Sequence, residues 1–192
     1  MSLQYKRETR ETTVEIEIDS NICESFVDTG IGFFDHMLLT FLKYSDLKGR
    51  IKVTGDLYVD CHHTIEDTGI SLGKAIEMII KEKPVRRYGS SYIPMDDALV
   101  RSVIDMGGRP FLEFRYDFKK EKLGEYDTDM TKEFLRAFTM NSLSTLHIDV
   151  IRGENEHHIT EAIYKSLGVS VKEAIEDLES KEVFSLKGRV NE

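Results

Sequence analysis

The chain has 192 residues, of which 40% are hydrophobic and 32% are charged, and this composition supports a core and excludes intrinsic disorder. Its 26 basic and 35 acidic residues give a net charge of −9, so no nucleic-acid partner is expected. No apolar run approaches the roughly 18 residues of a membrane span, the start of the chain is polar, and two cysteines make no disulfide framework. We therefore expect a cytoplasmic protein without a membrane partner.

The first half of the chain is predicted to fold as strand, strand, helix, strand and helix. Val14, Ile16 and Ile18 alternate with glutamates, which is typical of a half-exposed strand. Apolar residues at helical spacing predict the helices, and Pro84 lies just beyond the second one. These five elements are predicted at residues 14–18, 22–28, 33–44, 50–60 and 62–82.

The second half is predicted to repeat this order around a Gly-Gly-Arg-Pro turn. Its elements are predicted at residues 98–106, 111–118, 129–143, 146–150 and about 156–179. The letters repeat as well: His-His-x-x-Glu at residues 62–66 recurs 95 residues later, and so does Ser-Leu-Gly at residues 71–73. The sequence therefore predicts an internally duplicated α+β fold, one domain over residues 1–192 with β-β-α-β-α halves of about 1–90 and 91–192 and sheets packed against helices.

The duplicated His-His-x-x-Glu motif predicts metal binding. Residues four apart on a helix share a face, whereas adjacent residues differ by about 100°. The first histidine of each motif therefore pairs with its glutamate, and the second points elsewhere. Two motifs that face each other can form two sites for a divalent ion such as Mn²⁺, Fe²⁺ or Zn²⁺. Alternatively, the histidines and glutamates of these motifs are ordinary polar surface residues without a metal. Cys61 and His147 could also be ligands, but we favour a structural role for each.

Four motifs together make the chain resemble the imidazoleglycerol-phosphate dehydratase family of histidine biosynthesis. They are GFFDHML at residues 32–38, DCHHTIED at 60–67, GGRP at 107–110 and GENEHHITEA at 153–162. The resemblance covers nearly the whole chain. It implies a duplicated α+β fold, two Mn²⁺ ions per active site, and a homo-oligomer of 24 subunits with the sites between subunits.

The resemblance also implies two sets of metal ligands. The first set is His36, His63, His157 and Glu161. The second set is His62, Glu66, His158 and Glu133. Many relatives have histidine where this chain has Glu133, although a carboxylate also binds Mn²⁺ well. The split between adjacent histidines agrees with the helical geometry.

The implied substrate, D-erythro-imidazole-glycerol phosphate, needs cationic donors for its phosphate. Arg87 and Arg109 match the phosphate-end positions of the family. Lys165 follows Glu161 by one helical turn, and Ser185 and Lys187 resemble a C-terminal substrate-binding segment. The expected product is imidazole acetol phosphate, so the predicted activity is that of a carbon–oxygen lyase, a Mn²⁺-dependent dehydratase.

The implied reaction explains the need for metal, because the hydrogen to be removed does not lie beside a carbonyl group. Metal on the imidazole ring favours the imidazolate, which can expel the hydroxyl on the neighbouring carbon. The resulting diazafulvene makes the next hydrogen acidic, and a carboxylate can then remove it. Glu161 is the first candidate for this base, and Glu11 matches another family position near the ring.

Two other functions remain possible from the residues alone. A dinuclear metallohydrolase acting on a phosphate ester would also use two metals and arginines, but it would release free phosphate. A metal-storage or structural assembly would use the ions only to join subunits. The basic residues argue against this last function, because storage has no need of phosphate donors.

Overall fold

The computed structural model describes residues 2–178, which contain ten strands and four helices. The strands are β1 (Ser2–Glu8), β2 (Thr12–Asp19), β3 (Phe26–Asp28), β4 (Gly49–Gly55), β5 (Tyr88–Met95), β6 (Ala98–Asp105), β7 (Phe111–Arg115), β8 (Lys122–Leu123), β9 (Tyr126–Asp127) and β10 (Thr145–Arg152). The helices are α1 (Gly32–Tyr44), α2 (His62–Glu82), α3 (Met130–Asn141) and α4 (Glu156–Ala174). Within the described part of the chain, no helix combines the length and apolar character needed to cross a membrane.

Two four-stranded sheets have the same topology. Their strand orders are β1-β2-β4-β3 and β5-β6-β10-β7. In each sheet the first two pairings are antiparallel and the last is parallel. The second sheet begins at Tyr88, near the predicted boundary of about residue 90. The α+β class is confirmed, and the shared topology is what an internal duplication produces.

Each half begins with one strand that the sequence analysis did not predict, so the order is β-β-β-α-β-α. These strands are β1 and β5, and a small β8–β9 hairpin also precedes α3. Several predicted elements are longer than the observed ones. The strand predicted over 50–60 ends at Gly55, so a loop of residues 56–61 precedes α2, and the final helix ends at Ala174.

The core lies between the sheets and the helices. Alternate residues of β2 and β6 are buried, and the opposite residues face outward. α2 packs on β1 and β2, and α4 packs on β5 and β6. The rings at the centre belong to helices of both halves, with Phe34 against Phe134 and Phe41 against Phe138. One continuous core therefore joins the halves.

Two equivalent glycines allow the helices of the two halves to cross closely. A Cβ on Gly73 of α2 would lie 2.5 Å from the Phe138 carbonyl oxygen of α3. A Cβ on Gly168 of α4 would lie 2.9 Å from the Phe41 carbonyl oxygen of α1. The repeated Ser-Leu-Gly letters thus mark two matching crossings, which bring the start of α4 near α1 and the start of α2 near α3.

Candidate active site

Two helix starts bring three potential metal ligands together. His36 lies in the first turns of α1, and His157 and Glu161 lie one turn apart at the start of α4. The Nε2 atoms of His36 and His157 are 3.6 and 3.5 Å from Glu161 Oε2. One donor atom from each residue lies within 4.8 Å of the others. Two imidazoles and a carboxylate at this spacing fit a divalent ion.

The carboxylate of Glu161 also has a cationic neighbour. Lys165 Nζ donates to Glu161 Oε1 at 2.7 Å, so the two carboxylate oxygens face different groups. Burial raises the pKa of Glu161, but the lysine and the two nearby histidines outweigh this effect and bring the pKa below its ordinary value. The ionised carboxylate that a metal requires is therefore favoured. We name His36, His157, Glu161 and Lys165 the α1/α4 cluster.

A second cluster occupies the equivalent place at the crossing of α2 and α3. His62 Nε2 lies 3.5 Å from Glu66 Oε2, the same distance as in the His157–Glu161 pair. Arg136 of α3 places Nη2 2.9 Å from Glu133 Oε2 and 4.0 Å from Glu66 Oε1. We name His62, Glu66, Glu133 and Arg136 the α2/α3 cluster. It joins three predicted ligands around a guanidinium group.

His63 points away from the α2/α3 cluster, as its position beside His62 predicts. Its Nδ1 lies 3.0 Å from Asp56 Oδ2, in the loop before α2. Its Nε2 lies 3.8 Å from Glu11, the candidate base in the turn between β1 and β2. The hydrogen bond to Asp56 raises the pKa of His63, with burial opposing it and Glu11 adding to it.

His158 has an equivalent position and a similar acidic environment. Its Nδ1 lies 2.6 Å from Asp97 Oδ1, and its Nε2 lies 3.6 Å from Asp96. Asp97 also accepts the backbone N–H groups of Glu154 and Asn155 at the start of α4. These backbone bonds, together with His158, hold the pKa of Asp97 far below its usual value.

Within the described residues, one chain brings together three of the four ligands of the first predicted set, because His36, His157 and Glu161 meet without His63. In the second set His62 contacts Glu66, and Arg136 links Glu66 to Glu133, while His158 lies elsewhere. The cause is the helix geometry itself, because a side chain adjacent to a ligand projects from another face.

The two predicted phosphate-binding arginines lie together at the end of β6. Arg87 Nε and Nη2 donate to Asp105 at 2.6 and 3.1 Å, and Arg109 Nη2 lies 3.7 Å from the same carboxylate. Asp105 raises the pKa of Arg87, although partial burial opposes this effect. Arg109 is largely exposed, with 78% of its side chain accessible. Ser185 and Lys187 lie outside the described residues.

The structure also shows residues that the sequence analysis did not identify: Asp56, Asp96, Asp97, Asp105 and Arg136. Four of them are acidic partners of predicted site residues. Only Arg136 and Asp105 carried a signal in the sequence, since one lies three residues after Glu133 and the other two before the Gly-Gly-Arg-Pro turn. Cys61 is a half-buried free thiol before α2, and His147 lies on β10 with its ring 5.9 Å from that of Phe111.

Comparison with known proteins gives a consistent result. A family model described as imidazoleglycerol-phosphate dehydratase matches residues 29–171. The chain is 48% identical to the imidazoleglycerol-phosphate dehydratase of Staphylococcus carnosus over 98% of both chains, and 45% identical to that of an Exiguobacterium species over 96% of both.

Solved structures agree. The imidazoleglycerol-phosphate dehydratase of Staphylococcus aureus matches with a TM-score of 0.83 and 40% identity, over 92% of this chain and all of that one. The Pyrococcus furiosus enzyme matches with a TM-score of 0.84 and 36% identity, over 95% of this chain and 98% of that one.

Proposed function

The chain belongs to the imidazoleglycerol-phosphate dehydratase family, and from this premise we propose how its residues share the work of the reaction. The enzyme is a dehydratase of histidine biosynthesis that converts imidazoleglycerol phosphate to imidazole acetol phosphate with loss of water. Its relatives give no support to the metallohydrolase alternative. Manganese as the metal, a cytoplasmic location and the residue roles below are parts of the proposal.

The observation that carries the proposal is the α1/α4 cluster, in which donor atoms of three residues lie within 4.8 Å of one another. We propose that the α1/α4 cluster holds one Mn²⁺ ion through His36, His157 and Glu161. The α2/α3 cluster holds the other through His62, Glu66 and Glu133. The bound ions supply positive charge at the imidazole nitrogens, which favours the ring in its deprotonated form.

We propose that neighbouring subunits complete the two sites. His63 would complete the α1/α4 cluster of one neighbour, and His158 would complete the α2/α3 cluster of another. In support, both histidines project away from the clusters of their own chain and have acidic partners at Nδ1. A homo-oligomer of 24 subunits would then carry its active sites at subunit junctions.

The protein groups act at the two ends of the substrate. Arg87 and Arg109 bind the phosphate, with Ser185 and Lys187 as further candidates. Glu161 and Glu11 are the candidates for the base that removes the carbon-bound proton after the hydroxyl leaves. Lys165 holds Glu161 Oε1, so this oxygen stays ionised and oriented while Oε2 faces the two histidines.

Product formation tests the reaction and its metal requirement in one experiment. The full enzyme is stripped with a chelator and assayed by mass spectrometry with and without added Mn²⁺. We expect imidazole acetol phosphate only with the metal and without free phosphate. Release of inorganic phosphate in place of this product would support the metallohydrolase and contradict the proposal.

Mixed particles test the shared sites. His63→Ala and Glu161→Gln subunits are purified separately, dissociated with chelator, mixed and reassembled with Mn²⁺. If sites combine residues of different subunits, some sites in the mixture contain neither substitution, and activity returns although both parents are inactive. Mixtures of Glu161→Gln with His157→Ala are the control, because both residues lie in one cluster and no site can be restored.

A further inference from the structure

Asp105 lies at the proposed phosphate end of the site, and none of the four family motifs includes it. Its carboxylate accepts two hydrogen bonds from one edge of the Arg87 guanidinium group, to Oδ1 and Oδ2. A paired contact of this kind fixes the plane of the guanidinium as well as its position. Only 18% of the Arg87 side chain and 16% of Asp105 are exposed, so the pair is sheltered from solvent.

The backbone around Arg87 is fixed as well. Its N–H donates to the Ala174 carbonyl, and its carbonyl accepts the N–H of Met106, both at 2.9 Å. These bonds hold Arg87 at a φ of 76°, a left-handed conformation that is uncommon for a side-chain-bearing residue. A Cβ on Gly107 would lie 2.5 Å from Arg87 Nη2 and 2.7 Å from Asp105 Oδ1, so a larger residue there would displace the pair.

Arg109 lies near the same carboxylate. It follows Asp105 by four residues across the Gly107–Gly108 turn, and its Nη2 lies 3.7 Å from Asp105 Oδ2. The pair Arg87 and Arg109 would repel each other without a shared anion between them. With Asp105 the three groups carry a net charge of +1, which still attracts a phosphate dianion.

We propose that Asp105 is a positioning residue that orders the Arg87 and Arg109 guanidinium groups to receive the substrate phosphate. This inference rests on the proposed role of the two arginines. Asp105 need not touch the substrate. It removes the conformational freedom that two long side chains would otherwise lose on binding. The negative charge of Asp105 itself opposes phosphate binding. Replacing Asp105 should therefore weaken phosphate binding if its main effect is to order the arginines, and should strengthen binding if its main effect is electrostatic repulsion.

The Asp105→Asn variant separates these effects in the Mn²⁺-loaded enzyme. The amide loses the charge and has one acceptor oxygen in place of two, so the paired contact with Arg87 is lost. Glycerol 3-phosphate carries the phosphate end of the substrate without the ring, and we expect its inhibition constant to rise about tenfold. This is the expected scale when two arginine side chains must again lose conformational freedom on binding. The substrate KM should rise with it, while kcat changes less. An inhibition constant that stays the same or falls would overturn the proposal.

A matched control is available on the same sheet. Asp149 also pairs with an arginine, because Arg101 Nη2 and Nε both donate to Asp149 Oδ2, at 2.8 and 3.1 Å. Arg101 lies four residues before Asp105 on β6. We expect Asp149→Asn to leave the inhibition constant of glycerol 3-phosphate unchanged, and an equal rise in both variants would mean a general effect of losing an ion pair. If Asp105→Asn fails to fold, Asp105→Glu retains the charge but displaces the guanidinium, and an inhibition constant no higher than that of the parent would then overturn the proposal.

Arg87→Ala distinguishes failure of this inference from failure of the phosphate assignment. If Arg87→Ala weakens glycerol 3-phosphate and Asp105→Asn does not, the arginine binds phosphate without help and only the positioning role is wrong. If Arg87→Ala has no effect either, the assignment of the phosphate end is wrong and the inference falls with it.

Discussion

The α1/α4 and α2/α3 clusters occupy equivalent places, each between a helix of one half and a helix of the other, yet they balance charge differently. Both contain a histidine and a glutamate one turn apart, with the same 3.5 Å separation. The third proposed ligand is the imidazole of His36 in one cluster and the carboxylate of Glu133 in the other. The cation is Lys165, one turn after Glu161 on α4, in one cluster and Arg136, three residues after Glu133 on α3, in the other.

The comparison shows which parts of the duplication are fixed and which vary. The helical spacing and the close crossings are shared, because the packing of α1 on α4 and of α3 on α2 requires them. The residue in the third position differs, and so does its surrounding charge. Glu133 replaces the neutral His36 with a negative charge, and Arg136 contacts both Glu133 and Glu66. With neutral histidines, the α2/α3 cluster carries a net charge of −1 and the α1/α4 cluster is neutral.

Removing the metal should have the largest effect and should affect both clusters together. We expect chelation to abolish activity and to convert the proposed 24-subunit particle to smaller units, because ions that bind only the assembled state stabilise it. A pH well below about 6.5 should do the same, since imidazole must be neutral to bind metal. Size-exclusion chromatography with light scattering measures the change, and Mn²⁺ at neutral pH should reverse it.

A particle that keeps its full size without metal would show that protein contacts alone hold the subunits together. The clusters would then be catalytic and would contribute nothing to assembly.

Equivalent substitutions in the two clusters should separate ligation from proton transfer. Glu161→Gln should lower kcat by at least about 10²-fold, the usual scale for lost acid–base help, if Glu161 is also the base. Glu66→Gln is the matched control, because it removes the equivalent ligand without removing that base. Both variants are compared at saturating Mn²⁺ with the metal content measured. Equal losses of kcat would leave Glu161 as a ligand only and favour Glu11 as the base.

Exchanging the third donor should change metal affinity in one cluster alone. Glu133→His makes the α2/α3 cluster resemble its partner, and we expect its Mn²⁺ affinity to fall about tenfold through the lost charge. Arg136→Leu, which copies Leu39 at the equivalent position, should raise the affinity because a competing cation is gone. Electron paramagnetic resonance of free Mn²⁺ gives both isotherms. Unchanged affinity in both variants would show that Glu133 does not bind the metal.

The smallest effect is expected at the two helix crossings. Gly73→Ala and Gly168→Ala should each destabilise the fold by about 1–3 kcal/mol, because the added methyl group meets a backbone carbonyl. The Gly73 variant should lose more, since its Cβ would lie 2.5 Å from that oxygen and the other 2.9 Å away. Thermal unfolding of the metal-free proteins shows which of the two variants is less stable. A reversed order would mean that the two crossings relax differently despite their shared geometry.

The sequence predicted the parts of the molecule that local periodicity controls. The four helices and both His–Glu pairs follow from apolar spacing and from the turn of a helix. Strand β5 was missed because Gly89 and Ser91 are buried by close approach to α4, which leaves no apolar alternation to read. Strand β1 was missed because it is an edge strand of mostly exposed polar residues with little apart from Leu3 buried.

The acidic partners of the site could not be predicted for a different reason. Asp56 and Asp97 hold equivalent histidines, yet one lies in the loop between β4 and α2 and the other in the turn between β5 and β6. They are not repeats of each other, so the 95-residue offset does not relate them. Asp105 meets Arg87 only because β5 and β6 pair. Such contacts depend on the tertiary fold.

Asp97 has a consequence for engineering this protein. A tight exposed turn such as that between β5 and β6 is normally a convenient place for a tag or an inserted peptide. Here the turn contains Asp97, whose carboxylate is bonded to both the start of α4 and the ring of His158. Lengthening it by even a few residues would release an imidazole that lies far away in the sequence, so insertions are better placed elsewhere.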